Sequence, residues 1–236
     1  MPAPLDDAFS ALRSYDQGSS RAALLPIDEA VVAALPDPAD RLTLETRLLA
    51  ALSAGGSSVA LEYLCAKLTL IGSALAVPAL AALLDQPALT TAARNALEAA
   101  PHPEATAALR AQLPKLASLP LLGVVQSLGI RRAAAAVPAL AALLASPSPE
   151  VSRAAAAALG EIGTPAAAAA LRDFSARAPA VVAPALADAL LVCAERLLAA
   201  GARAAAQSLY QLLATAAQPV HVRLAATRGL TTASTP

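Results

Sequence analysis

The octapeptide Val-Pro-Ala-Leu-Ala-Ala-Leu-Leu occurs twice without change, at 77–84 and at 137–144. One divergent helical pair fits between the copies, so the chain repeats about every thirty residues. The segments that close each unit also agree in outline: LTLIG at 68–72, LEAAP at 97–101, LGI at 128–130 and LGEIG at 159–163. A unit of two short amphipathic helices cannot bury its apolar face alone. It must stack on its neighbours, and the result is an array.

Composition supports helices and excludes most alternatives. Hydrophobic residues make up 57% of the 236, yet aromatics are only 2%, and alanine and leucine carry most of the apolar content. Alanine is the strongest helix former and allows close helix approach, whereas leucine fills the space between helices. The β-branched and aromatic residues that favour strands are scarce. A mean hydropathy of +0.59 raises the question of a bilayer span. The longest uncharged runs, 68–84 and 133–149, each carry an internal proline and are flanked by charge or by a break. A span needs ~20 apolar residues in unbroken helix, so these runs read as the end of one helix and the start of the next. Asp6 and Asp7 stand where a secretory signal would place its apolar segment. A cytoplasmic protein is the favoured expectation. An exported fragment without its signal peptide is the alternative, since Met1 is the only methionine.

Net charge is zero but unevenly spread. Residues 1–50 hold eight acidic side chains against four arginines, −4 there and +4 over the remainder. Neither part is charged enough to indicate nucleic acid or a membrane surface. Cys65 and Cys193 lie far apart without the CxxC spacing of a zinc or redox site, and read as buried thiols.

In chain order, helices are expected over 4–15, over 21–35 with Pro26 kinking it or setting its start, and over 41–52. In the third, Leu42, Leu44, Leu48, Leu49 and Leu52 form the stripe and Arg41–Glu45 an i,i+4 pair. Further helices follow over 59–71, 74–84, 88–99, 104–113, 119–128, 131–145, 150–162, 165–176, 181–199, 203–216 and 220–230. Residues 1–40 are read as N-terminal capping helices, 41–232 as the repeat array and 233–236 as a disordered tail.

At Val137–Gly163 the pattern resembles a HEAT repeat of the short bacterial kind, as found in phycobilin lyases. Val137, Pro138, Leu140, Leu143 and Leu144 match its first helix; Val151, Ala155, Ala156, Ala158, Leu159, Gly160, Ile162 and Gly163 match its second. The resemblance implies an all-α fold, a right-handed α-solenoid (an α–α superhelix) of about six to seven helix pairs. It also implies an Asp–Arg ladder between repeats. Asp85 and Arg223 fit those positions, whereas Ser146 and Ser152 occupy them in the best repeat.

The resemblance further implies that first helices lie on the convex side and second helices on the concave side, where partners bind. Taking Leu159 as the register mark, the expected concave face comprises Glu62, Thr91, Asn95, Gln126, Arg153, Glu161 and Arg228, with small or apolar residues such as Ala66, Leu70, Ala99, Leu122, Ile130, Ala157, Leu224 and Thr232 between them. Arg131 and Arg132 read as a solvated pair at a turn. Arg94 is expected to pair with Glu98 or Asp85. Tyr63, Tyr210 and Phe174 read as gap fillers.

No catalytic constellation is visible. His102 and His221 are the only histidines and have no carboxylate or cysteine beside them to complete a metal set. There is no Gly-rich phosphate loop, no GxSxG, and too few aromatics for a base-stacking platform. The expectation is therefore a non-enzymatic protein–protein interaction scaffold, without cofactor or metal and with an unknown protein partner. The alternatives are an accessory module that binds a tetrapyrrole or a lyase subunit and, less favoured, nucleic acid. An array needs polar end caps, and 220–230 offers a weak one. That implies a homodimer or contact with flanking segments of a longer protein.

Overall fold

The computed structural model describes residues 4–215 and 217–234, and every regular element among them is helical. Fourteen α-helices are described: α1 (Pro4–Leu12), α2 (Leu25–Ala34), α3 (Pro38–Ala54), α4 (Ser58–Ile71), α5 (Ala76–Leu83), α6 (Thr90–Ala99), α7 (Pro103–Gln112), α8 (Ser118–Ile130), α9 (Val137–Leu143), α10 (Pro149–Ile162), α11 (Pro165–Ser175), α12 (Ala183–Ala199), α13 (Arg203–Leu213) and α14 (Val220–Ser234). Short 3₁₀ turns at Arg21–Leu24 and Ala134–Ala136 lead into α2 and α9.

Proline sets where many of these helices begin. Pro26, Pro38, Pro138, Pro149, Pro165 and Pro184 all fall in a first turn, where the missing N–H removes no helical hydrogen bond. This decides the case of Pro26, which starts α2. It also shortens the helix expected over 131–145: α9 begins at Val137 so that Pro138 falls in its first turn. Side-chain caps fix other starts. Asp37, Ser57, Ser148 and Thr164 accept from backbone N–H groups two or three residues on.

The chain divides into two compact units, 1–112 and 113–236. In the first unit, Leu24, Ile27, Leu48, Leu64, Leu80, Leu84, Leu89, Leu97 and Leu109 are fully buried. The α3 stripe differs from expectation, because Leu42 is exposed and Glu45 is buried in its stead. Glu45 does not pair with Arg41. Its Oε1 accepts from the backbone N–H of Ser73 at 2.7 Å and from Ser73 Oγ at 3.0 Å, which ties α3 to the turn after α4. A carboxylate is tolerated there because it meets two donors. Tyr63 is buried as expected and also has a polar role: its hydroxyl donates to Asp28 Oδ1 at 2.8 Å, and Lys67 Nζ reaches the same oxygen at 2.5 Å. Burial alone would raise the Asp28 carboxyl, but the hydrogen bonds from Lys67 and Tyr63, with the charges of Lys67 and Arg21, hold it below its ordinary value.

In the second unit the second helices of successive pairs, α8, α10 and α12, pack side by side. Glycine permits that spacing. A Cβ on Gly129 of α8 would stand 2.8 Å from Cα of Ala158 on α10, and one on Gly160 of α10 would stand 2.7 Å from the carbonyl oxygen of Ala189 on α12. Both glycines sit late in their helices, thirty-one residues apart, and both contacts are to backbone that cannot swing aside. This explains physically why LGI and LGEIG correspond. Leu128, Leu140, Leu159, Leu171 and Leu213 are completely buried in this unit, and Phe174 and Tyr210 are buried as well.

The ladder implied by Asp85 and Arg223 does not form, since neither takes part in an ion pair among the described residues. A hydroxyl clasp within each pair stands where the ladder was expected. Ser152 Oγ donates to the Leu144 carbonyl at 2.6 Å, and Thr90 Oγ1 donates to the Leu84 carbonyl at 3.0 Å. Leu84 and Leu144 end the two copies of the octapeptide, so the same buried bond joins first to second helix in both. At the C-terminus α14 runs to Ser234. Ala233 is buried and its carbonyl accepts from Arg203 and Gln207. Helix thus occupies 233–234 of the expected tail, while Thr235, Pro236 and the expected helix end at Ala216 lie outside the described residues.

Candidate interaction groove

Four of the seven residues expected on the concave face belong to the second unit. Gln126 is exposed on α8, Arg153 and Glu161 are half-buried on α10, and Arg228 is exposed on α14. Ile130 and Ala157 are exposed at the intervening positions and Leu122 is half-buried. Together Leu122, Gln126, Ile130, Ala154, Ala157 and Glu161 line a groove of about 640 Å³ over α8 and α10, bordered by Arg132, Glu150 and Arg196. The small residues explain why it is open. Gly129 and Ala158 bring the two helices together at the floor, and Ala154 and Ala157 carry no side chain long enough to fill the space above.

Most of the charge at this groove is closed on itself. Arg196 Nη2 lies 2.5 Å from Glu161 Oε2, bridging α12 to α10. Arg153 does not line the groove; its Nη2 pairs with Glu150 Oε1 at 3.3 Å and its Nη1 donates to the Val181 carbonyl at 3.4 Å. A hydrogen bond from Ser148 Oγ holds the exposed Glu150 carboxyl below its ordinary value, with help from a backbone N–H and the charge of Arg153. Arg132 is different. It is exposed, its guanidinium makes no ion pair among the described residues, and it sits at φ +49°.

Arg132 terminates α8. Its N–H donates to the Gly129 carbonyl at 2.8 Å and the N–H of Ala133 donates to the Leu128 carbonyl at 3.0 Å. This is a Schellman ending, in which glycine usually holds the left-handed position. Thirty-one residues later Gly163 occupies the equivalent place at φ +60°, closing α10 through its N–H to the Leu159 carbonyl. Aligning LGIRR at 128–132 with LGEIG at 159–163 sets Arg132 opposite Gly163. That alignment makes the left-handed position legible in the sequence, where Arg131–Arg132 otherwise reads only as a solvated pair.

Farther along the unit a second recess, of about 600 Å³, is lined by Glu195, Leu198, Ala199, Tyr210, Arg228, Gly229 and Thr232. A Cβ on Gly229 would run into the Tyr210 ring. Burial raises the Tyr210 hydroxyl above its ordinary value, and the charge of Glu195 adds to this.

In the first unit Glu62, Thr91 and Asn95 are exposed on α4 and α6. Leu70 and Ala99 line a separate recess with Arg41, Leu42, Gly72, Pro101 and His102. Arg94 pairs with Glu98 at 3.1 Å. Cys65 and Cys193 are both buried, and burial pushes each thiol up to about 11. Among the described residues no three His, Cys, Asp or Glu side chains gather into a metal-binding group, and no helix is long and apolar enough to cross a membrane.

Comparison with known proteins gives one family. Residues 122–191, which include every groove residue but Arg196, match the family described as HEAT repeats. No curated protein matches. Solved structures with a similar fold include the CpcE–CpcF complex of phycocyanin lyase from Nostoc sp. PCC7120 (20% identity, 100% of this chain and 89% of that one, TM-score 0.47). An engineered protein (20%, 88% and 96%, TM-score 0.45) and human deoxyhypusine hydroxylase in complex with glycerol (20%, 80% and 95%, TM-score 0.39) are also similar. In the second unit, α8, α10 and α12 stack through Gly129 and Gly160, and residues 122–191 there carry the pattern of HEAT repeats.

Proposed function

We propose that the chain is a non-enzymatic protein–protein interaction scaffold, and that the groove over α8 and α10 receives a segment of the partner. The observation that supports this is the groove itself: small and apolar walls, a backbone floor set by glycine, and flanking charges paired except at Arg132. Such a surface is rigid before the partner arrives, so binding spends little on ordering the scaffold. Apolar side chains of the partner would displace water from Leu122, Ile130 and Ala157 at roughly 25 cal/mol per Å² covered.

The test is selection of displayed random ten-residue peptides on the full chain, repeated with Ala157→Arg and Ala166→Arg. Both alanines are exposed, one in the groove and the other on α11. Retained peptides should be lost with Ala157→Arg and kept with Ala166→Arg. Equal retention by the two variants, or no retention at all, would remove the groove as the site.

A further inference from the structure

Resting on that reading, we infer that the groove selects a segment in which an aspartate or glutamate lies beside a bulky aliphatic residue, the carboxylate meeting Arg132 and the aliphatic side chain lying on Leu122, Ile130 and Ala157. Three observations carry this. The first is charge. Glu150 is matched by Arg153 and Glu161 by Arg196, which leaves Arg132 as the uncompensated charge bordering the groove. A partner lacking an anion at that end would leave the guanidinium unmatched, and a basic one would be repelled.

The second is backbone. Arg132 holds the left-handed conformation at a position where Gly163 stands in the following repeat. Helix termination there needs only glycine, and an L-residue is disfavoured. The ending of α8 therefore gives no reason for arginine, whereas a planar guanidinium with its fork of donors suits a carboxylate. The third is what surrounds the charge: the groove that Arg132 borders is lined by the apolar Leu122, Ile130 and Ala157, so one segment can meet the guanidinium with an acid and these side chains with an aliphatic residue.

The same peptide selection supplies the test, with Arg132→Gly and Arg132→Glu added. Glycine suits the backbone at this position, so Arg132→Gly retains the fold, and a melting curve verifies it. Wild-type protein should enrich peptides carrying Asp or Glu next to Leu, Ile or Val. Synthetic copies of these should bind Arg132→Gly at least tenfold more weakly. Replacing their acid by the amide should cost wild type as much and Arg132→Gly almost nothing. Raising salt from 50 to 500 mM should weaken binding to wild type far more than to Arg132→Gly. Arg132→Glu should shift the enriched set to Lys and Arg. Peptides that are lost with Ala157→Arg yet carry no acidic preference, or bind Arg132→Gly as well as wild type, would overturn the inference and leave the groove in place. Peptides indifferent to Ala157→Arg would overturn the groove and this inference with it.

Discussion

Gly163 carries a prediction that can be dissected into its physical parts. It closes α10 at φ +60°, and a Cβ there would run into Cβ of Arg196, with Arg196 Cγ only 2.9 Å away. Gly201 closes α12 in the same unit at φ +79°, but a Cβ there would meet nothing within 4 Å. Alanine at either site should cost about 1–2 kcal/mol for placing an L-residue in the left-handed region. At Gly163 alone, overpacking against the base of the Arg196 side chain adds about 1–3 kcal/mol. Because Arg196 Cβ is anchored to the α12 backbone, the contact cannot be relieved by a change of rotamer. We therefore expect Gly201→Ala to destabilise by about 1–2 kcal/mol and Gly163→Ala by about 2–5 kcal/mol, with Gly163→Val worse still. Urea unfolding followed by circular dichroism at 222 nm measures both, compared within the transition of the second unit. Gly163→Ala should also disturb the Arg196–Glu161 pair at the groove, visible as weaker peptide binding. Equal costs for the two alanine variants would refute the close approach of α10 to α12.

Leu159 is fully buried between helix pairs; Leu159→Ala should cost about 2–5 kcal/mol by cavity formation, and an unchanged urea midpoint would sink the register used throughout. Asp28 should make the first unit sensitive to acid. Its folded carboxyl lies below the ordinary value of 3.8, so its stabilisation is complete above that value and is lost as pH falls through the lower folded one. Asp28→Asn should flatten that part of the stability–pH curve. It should also lower stability at neutral pH by about 1–3 kcal/mol, because Lys67 stays buried without its carboxylate. An unaltered curve below pH 4 would contradict this assignment.

Much of the fold was legible in the chain. The octapeptide repeat gave the period, and leucine spacing gave the α3 core at Leu44, Leu48 and Leu52. These features are local, or periodic along one helix, so one-dimensional pattern suffices to read them. Glu45 was misread for the same reason: Arg41 was its neighbour at helical spacing, while its actual donors are on Ser73, twenty-eight residues away. The implied Asp–Arg ladder between repeats did not form; Ser152 and Thr90 instead tie first to second helix within a pair, through hydroxyl-to-carbonyl bonds that no side-chain charge pattern announces.

The candidate groove shows the same division. Gln126, Ala157 and Glu161 came from register alone, because exposure on a helix follows its period. Arg132, Glu150 and Arg196 could not be assembled that way, since each enters from a different turn or helix. The sequence by itself determined that this chain is built of helix pairs and, apart from Leu42 and Glu45 on α3, where the leucine-rich faces lie, because both follow from periodicity. Only the tertiary structure decided which charges cancel and which one is left over. A charge's partner is set by the distance between helices, and here that distance depends on two glycines that let neighbouring backbones touch.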